Sequence, residues 1–239
     1  MGRLRLEPPD FDPMFQSGNR YRLPDPDGTV AVVEVLDAGL LHLPTGRLVA
    51  CDPFFGSSIH ESCAAFTVTV PPGHYPVSVA AARVDPAPPD MASSLRLGVA
   101  AKLTIRDEPV VAWELALRPG QDLAALGSDE RYCFGVDSGN GSFFDASAVD
   151  AVVALDDWGI DFEEDELSPE RVRFLEELHR KAWANLVVDA AAELNIVMFD
   201  CGRGDGCYAT WIGRGATGAP ACFAADLVLL SDSFGPLSG

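Results

Sequence analysis

Short runs of apolar residues, several of them alternating with polar ones, recur along most of this chain. Such runs include 30–35, 65–70, 75–81, 95–105, 196–199, 208–212 and 222–230. Turn sequences rich in proline and glycine separate several of them, as in Pro71-Pro72-Gly73-His74. The pattern predicts about nine or ten short strands, paired mostly through tight connections.

A helical spacing replaces this pattern in two places. Ser168 and Pro169 are typical of a helix start, and apolar residues then recur at three- and four-residue steps, which predicts one long helix over 168–193. A short helix is predicted near 145–155, with Asp145 as its N-cap. We therefore expect an α+β fold that is mainly β: an antiparallel sandwich or curled sheet with the long helix packed against it.

The domain organisation follows from composition along the chain. Residues 1–28 are rich in Pro and Asp and predict an irregular N-terminal segment. No composition break divides the remainder, so 29–239 is predicted to be a single globular domain. The first ten residues lack the apolar stretch of a secretory signal. The sequence also contains no run of about 18 apolar residues, the length that a membrane helix needs. We expect a cytoplasmic protein.

The charge limits the partners. The chain carries 36 acidic and 17 basic residues, for a net charge of −19. Binding to nucleic acid needs clustered basic residues, and anionic membranes repel such a chain. A basic protein partner or a bound cation fits this charge, although solubility alone also explains it.

Six cysteines are present, and none belongs to a Cys-x-x-Cys motif. Without an export signal, they are predicted to be free thiols in a reducing compartment. Cys201 and Cys207 flank a glycine-rich loop and are the alternative, oxidisable pair.

That loop, 202–208, is the strongest local signal. Asp205-Gly206 between two strand-like runs favours a hairpin turn, while Gly204, Gly206 and Tyr208 are also candidates for a ligand site. An earlier loop, 136–145, has the same character: its Asn140-Gly141 favours a turn, and Asp145 is either a cap or a ligand.

Carboxylates in these loops and in other strand-like runs suggest a second kind of chemistry. If Asp52, Asp137, Asp205 and Asp226 converged, they would offer hard oxygen ligands to Mg²⁺ or Ca²⁺. A bound cation would then activate water for hydrolysis. The four histidines share no catalytic motif.

Several segments together resemble a known family. They are 43–53, 70–77, 136–139, 183–185, 202–208 and 225–227. In this order they resemble a bacterial family of uncharacterised proteins, domain of unknown function 4241. The Gly-Asp-Gly-x-Tyr segment is also similar to one in bacterial immunity-type and partner-binding domains, and this analogy favours a binding role.

Two hypotheses follow. The first is a cytosolic, acidic interaction protein with a basic partner, of which immunity to a basic toxin would be one case. The alternative is a carboxylate-dependent divalent-metal hydrolase that uses the aspartates of the glycine-rich loops.

Overall fold

A computed structural model describes residues 7–22, 29–54, 59–84, 96–127, 130–155 and 169–230. Twelve strands lie within these ranges. They are β1 (Arg20–Arg22), β2 (Val30–Leu43), β3 (Leu48–Cys51), β4 (Gly73–Val84), β5 (Arg96–Thr104), β6 (Ala112–Leu115), β7 (Phe134–Val136), β8 (Asn140–Asp145), β9 (Trp183–Asp189), β10 (Leu194–Asp200), β11 (Gly206–Arg214) and β12 (Pro220–Asp226). The prediction of a mainly β, antiparallel fold is confirmed.

The strands form two antiparallel sheets. The larger has the order β1-β2-β4-β5-β12-β11-β6, with β7 also paired to β11, and the smaller has the order β3-β8-β10-β9. Twelve strands exceed the predicted nine or ten, partly because a strand as short as β1 has no readable periodicity. Conversely, no strand occupies residues 65–70, where one was predicted.

The described ranges also contain four α-helices: α1 (Phe11–Met14), α2 (Ile59–Ser62), α3 (Val149–Val153) and α4 (Pro169–Lys181). A 3-10 turn at Ala146–Ala148 leads into α3, in the predicted place. The predicted helix over 168–193 was too long, since α4 ends at Lys181 and β9 occupies its second half. Ala182 has a φ of 64°, which a continuing helix does not allow. Ser168 lies outside the described residues.

The core forms two layers around the smaller sheet. Successive residues of β10 point to opposite faces. Val197 and Phe199 pack between the two sheets, while Ile196 and Met198 pack outward against the layer that contains α3 and α4. A β10 strand buried on both faces explains its uninterrupted apolar sequence.

The opposite face of the larger sheet is covered from the N-terminal side. Phe11 and Met14 of α1 and Tyr21 of β1 are buried there. The first 28 residues were predicted to be irregular, yet their described part contributes this helix and strand. The division of the chain into domains stays a prediction. In the described part of the chain, no helix is both long and apolar enough to cross a membrane.

Candidate functional site

The two glycine-rich loops meet in space. Residues 137–139 carry the chain from β7 in the larger sheet to β8 in the smaller, and 201–205 carry it back from β10 to β11. The Cys201 amide donates to the Gly139 carbonyl at 2.9 Å. We call these two crossings the loop junction.

The predicted hairpin at Asp205-Gly206 is wrong. β10 pairs with β8 and β9, whereas β11 pairs with β12, β6 and β7, so the two flanking strands lie in different sheets. The Asn140-Gly141 turn is also misplaced, because both residues belong to β8. The positive φ angles fall instead on Gly139 (73°) and Gly204 (76°). Glycine tolerates this geometry, which the sharp crossings between sheets require.

Asp52 fastens the loop junction to β3. Its carboxylate is fully buried. One oxygen accepts from the backbone amides of Asp137 (2.9 Å) and Ser138 (2.8 Å). The other accepts from the Ser138 hydroxyl (2.7 Å) and the Phe54 amide (2.9 Å). Four donors therefore satisfy this buried charge from inside the protein.

The other predicted metal ligands have different environments. Asp137 and Asp205 are exposed at the junction, and the pairing of Val136 with Gly206 brings them to the same end of the β7–β11 ladder. Asp226 is buried in β12, and it accepts from the Val228 amide at 2.9 Å. The one group of three metal-ligating side chains that the described residues bring together does not include these aspartates. A metal site on them stays a prediction.

Asp145 caps the 3-10 turn, as predicted. The carboxylate is fully buried. It accepts from the Ser147 amide at 2.8 Å and from the Thr45 amide at 3.0 Å. The hydroxyl groups of Thr45 and Ser147 also donate to this carboxylate. These hydrogen bonds explain why the carboxylate of Asp145 is buried, and no ligand is needed to explain it.

Gly204, Gly206 and Tyr208 are held together by contacts within the chain. We call the start of the strand, Gly206–Tyr208, the β11 corner. The Tyr208 hydroxyl donates to the Gly204 carbonyl at 2.6 Å. A Cβ atom on Gly206 would lie 3.3 Å from the Tyr208 ring, so the ring covers the glycine. Burial raises the pKa of Tyr208 well above its ordinary value, which keeps the hydroxyl a donor.

A matching device begins β4, and we call it the β4 corner (Gly73–Tyr75). The Tyr75 hydroxyl donates to the Pro71 carbonyl, again four residues upstream. A Cβ atom on Gly73 would lie 3.5 Å from the Tyr75 ring. Burial also raises the pKa of Tyr75.

The prediction of six free thiols is wrong for two of them. Cys207, in the middle of the β11 corner, forms a disulfide with Cys133. Cys201, the predicted alternative partner, is a buried free thiol, and burial raises its pKa. Spacing in sequence did not reveal the pair, because β7 and β11 are neighbours only in the folded sheet.

The residue in the middle of the β4 corner belongs to a site that sequence reasoning missed. His74 lies opposite His42 on β2, with ring centroids 4.1 Å apart and planes within 1° of parallel. Glu193, in the turn before β10, completes a group whose ligand atoms all lie within 4.8 Å of one another. The pairing of β2 with β4 creates this group, and β3 separates those strands in sequence.

Two asparagines connect this site to the edge of the smaller sheet. Asn195 of β10 accepts from the His42 amide (2.9 Å) and donates to the Leu40 carbonyl (2.8 Å). It also donates to Asn185 of β9 at 2.7 Å. Leu40 is 52% exposed, and Val187, opposite Asn195 in the ladder, is 62% exposed. Both are apolar side chains that the described part of the fold leaves on the surface.

These observations define an antiparallel, two-sheet β protein whose buried Asp52 is satisfied by internal donors at the loop junction. Its stacked pair of histidines, half-buried His42 and exposed His74, borders a sheet edge. Residues 41–225, well over half of the chain, match the model of the family described as "Protein of unknown function (DUF4241)". The chain belongs to this family, which confirms the resemblance drawn from its sequence. No curated protein and no solved structure matches the chain.

Proposed function

We propose that this is a partner-binding protein that binds a basic polypeptide segment alongside the edge strand β9. The observation that carries the proposal is the exposed apolar pair Leu40 and Val187 beside an edge strand. Immunity to a basic toxin is one concrete form of this function.

The first support is the geometry of the edge. In the described ranges β9 pairs with β10 alone, so its outer side offers backbone donors and acceptors to another strand. A partner strand added there would gain main-chain hydrogen bonds, and its side chains would contact Val187. Asn185 and Asn195 hold Leu40 next to this edge through its carbonyl.

The second support is charge. Asp37, Asp189 and Glu193 lie within a few positions of Leu40 or Val187 in the chain, and the protein as a whole carries a net charge of −19. Carboxylates beside an apolar patch favour a partner that alternates basic and apolar side chains. The alternative of a metal hydrolase on the four aspartates has weaker support, because internal donors occupy the Asp52 carboxylate.

The test uses a fluorescently labelled, strand-length peptide of alternating Lys and Val, with a Glu–Val peptide as its counterpart. We expect the Lys–Val peptide alone to bind, and salt to weaken that binding by screening the charges. Val187→Lys should weaken it about tenfold, equivalent to about 1.4 kcal/mol.

Val111→Lys is the matched control. The side chain of Val111 is 65% exposed, a fraction similar to the 62% of Val187. The substitution adds the same charge at a different place, just before β6. Its affinity should stay at the wild-type value. Equal losses in the two variants would show that only total charge attracts the peptide, and no binding by the wild type would also overturn the proposal.

A further inference from the structure

We propose that His42, His74 and Glu193 bind a divalent transition-metal ion, with Zn²⁺ as the best match. The two imidazoles and one carboxylate supply the nitrogen and oxygen ligands that zinc takes in proteins. This inference stands apart from the proposed partner binding, since it needs only these three side chains.

The geometry brings the three ligand atoms close to one another. All three lie within 4.8 Å of one another. Ligand atoms bound to one zinc ion each lie about 2.0–2.2 Å from it. They are therefore at most about 4.4 Å apart. Because the rings of His42 and His74 stack in parallel planes and each lone pair lies in its ring plane, the His74 ring must also rotate for both nitrogens to face one ion. His74 and Glu193 are exposed and have room for that movement.

The second support is the orientation of His42. Its Nδ1 lies 3.0 Å from the Glu193 carbonyl oxygen. A carbonyl oxygen only accepts, so this contact places the proton on Nδ1 and leaves the lone pair on Nε2. Histidines that bind metals commonly donate their other nitrogen to a backbone carbonyl in this way.

The scaffold also fixes the backbone position of His42. The Asn195 side chain accepts from the His42 amide at 2.9 Å, and the ladder sets His74 opposite. Glu193 occupies the turn between β9 and β10 with a φ of 55°. The site is thus built on two strands and a fixed turn, which preorganise the backbone positions of its ligands.

The ligand set also selects the class of ion. Imidazole nitrogens suit Zn²⁺, Cu²⁺ and Ni²⁺, whereas Mg²⁺ and Ca²⁺ prefer sites made of oxygen alone. Three protein ligands leave the fourth zinc position for water or an incoming group. This choice of ion differs from the Mg²⁺ or Ca²⁺ predicted for the aspartates.

Isothermal titration of the full chain with ZnCl₂ tests the proposal. We expect one ion per chain, bound at least about tenfold more weakly by His74→Ala and by Glu193→Gln. His60→Ala is the matched control, because His60 is also exposed and lies 3.7 Å from a carboxylate, that of Asp150. Zinc affinity in this control should equal that of the wild type.

A Cu²⁺ spectrum checks the ligands directly. Electron paramagnetic resonance of the wild type should show coupling to two imidazole nitrogens, and His74→Ala should show one. A folded wild type that takes up no zinc, an equal loss of affinity in His60→Ala, or a copper spectrum without nitrogen coupling would each overturn the proposal.

Discussion

The β4 corner and the β11 corner share one backbone device and differ in the residue at its centre. In both, a tyrosine covers a glycine two positions earlier and donates to a carbonyl four positions earlier. Because alternate strand residues face opposite sides, the central residue is left for other contacts. That residue is His74 in the first corner and Cys207 in the second.

This difference in the central residue makes the β11 corner a structural element and the β4 corner a candidate ligand site. In the β11 corner, Cys207 is bonded to Cys133. In the neighbouring loop junction, donors from within the chain satisfy the carboxylate of Asp52. The β4 corner presents His74 to His42 and Glu193 at the surface. Ligand binding is therefore expected at the β4 corner, although the glycine-rich sequence of the β11 corner is the more conspicuous.

Removing the disulfide of the β11 corner should produce the largest change. Cys133 and Cys207 are 74 positions apart. Closing a loop of that length restricts the unfolded chain, so Cys133→Ser should lower the free energy of unfolding by about 4 kcal/mol. Denaturant unfolding measures this, and a reductant should destabilise the wild type but leave the variant unchanged. A reductant that destabilises both equally would contradict the assignment.

Asp52→Ala should have the next largest effect. It leaves the amide donors of Phe54, Asp137 and Ser138 without their acceptor in a partly buried site, at a cost of about 3 kcal/mol in unfolding free energy. Asp205→Ala is the control: its exposed side chain predicts a change within about 0.5 kcal/mol. Similar effects of the two substitutions in thermal and urea melts would mean that Asp52 does not hold the loop junction.

The tyrosine hydroxyls give the smallest effects and compare the corners directly. Tyr208→Phe should cost about 1 kcal/mol, the usual net value of one hydrogen bond. Tyr75→Phe should cost less, because Tyr75 is more exposed than the buried Tyr208 and water compensates more of its bond. Chemical denaturation of both variants decides the order, and a larger loss at Tyr75 would show that the two corners are not equivalent devices.

Local patterning predicted much of the fold but not its pairings. Runs such as 75–81 and 208–212 fall inside β4 and β11, because strand burial leaves a direct apolar signature. The helix prediction continued through β9 because Leu186 and Val187 also fit helical spacing, and the break at Ala182 has no such signature. Aspartate caps follow local rules, and the cap at Asp145 was predicted correctly.

The candidate site depended on what local patterning omits. His42 meets His74 only through a pairing of strands distant in sequence, and Cys133 meets Cys207 the same way. The loop at 202–208 was predicted to be a hairpin because Asp205-Gly206 is a common turn dipeptide, whereas the choice of sheet on each side is a tertiary property.

The central claim is that ligands bind at the β4 corner and that the loop junction is structural. Amide ¹H–¹⁵N spectra recorded during a Zn²⁺ titration test it most directly. The account predicts shifts concentrated at residues 40–43, 73–75 and 193–195, with 137–139 and 201–205 unchanged. Shifts concentrated at 137–139 and 201–205 would contradict it and return the glycine-rich loops to the role of the binding site.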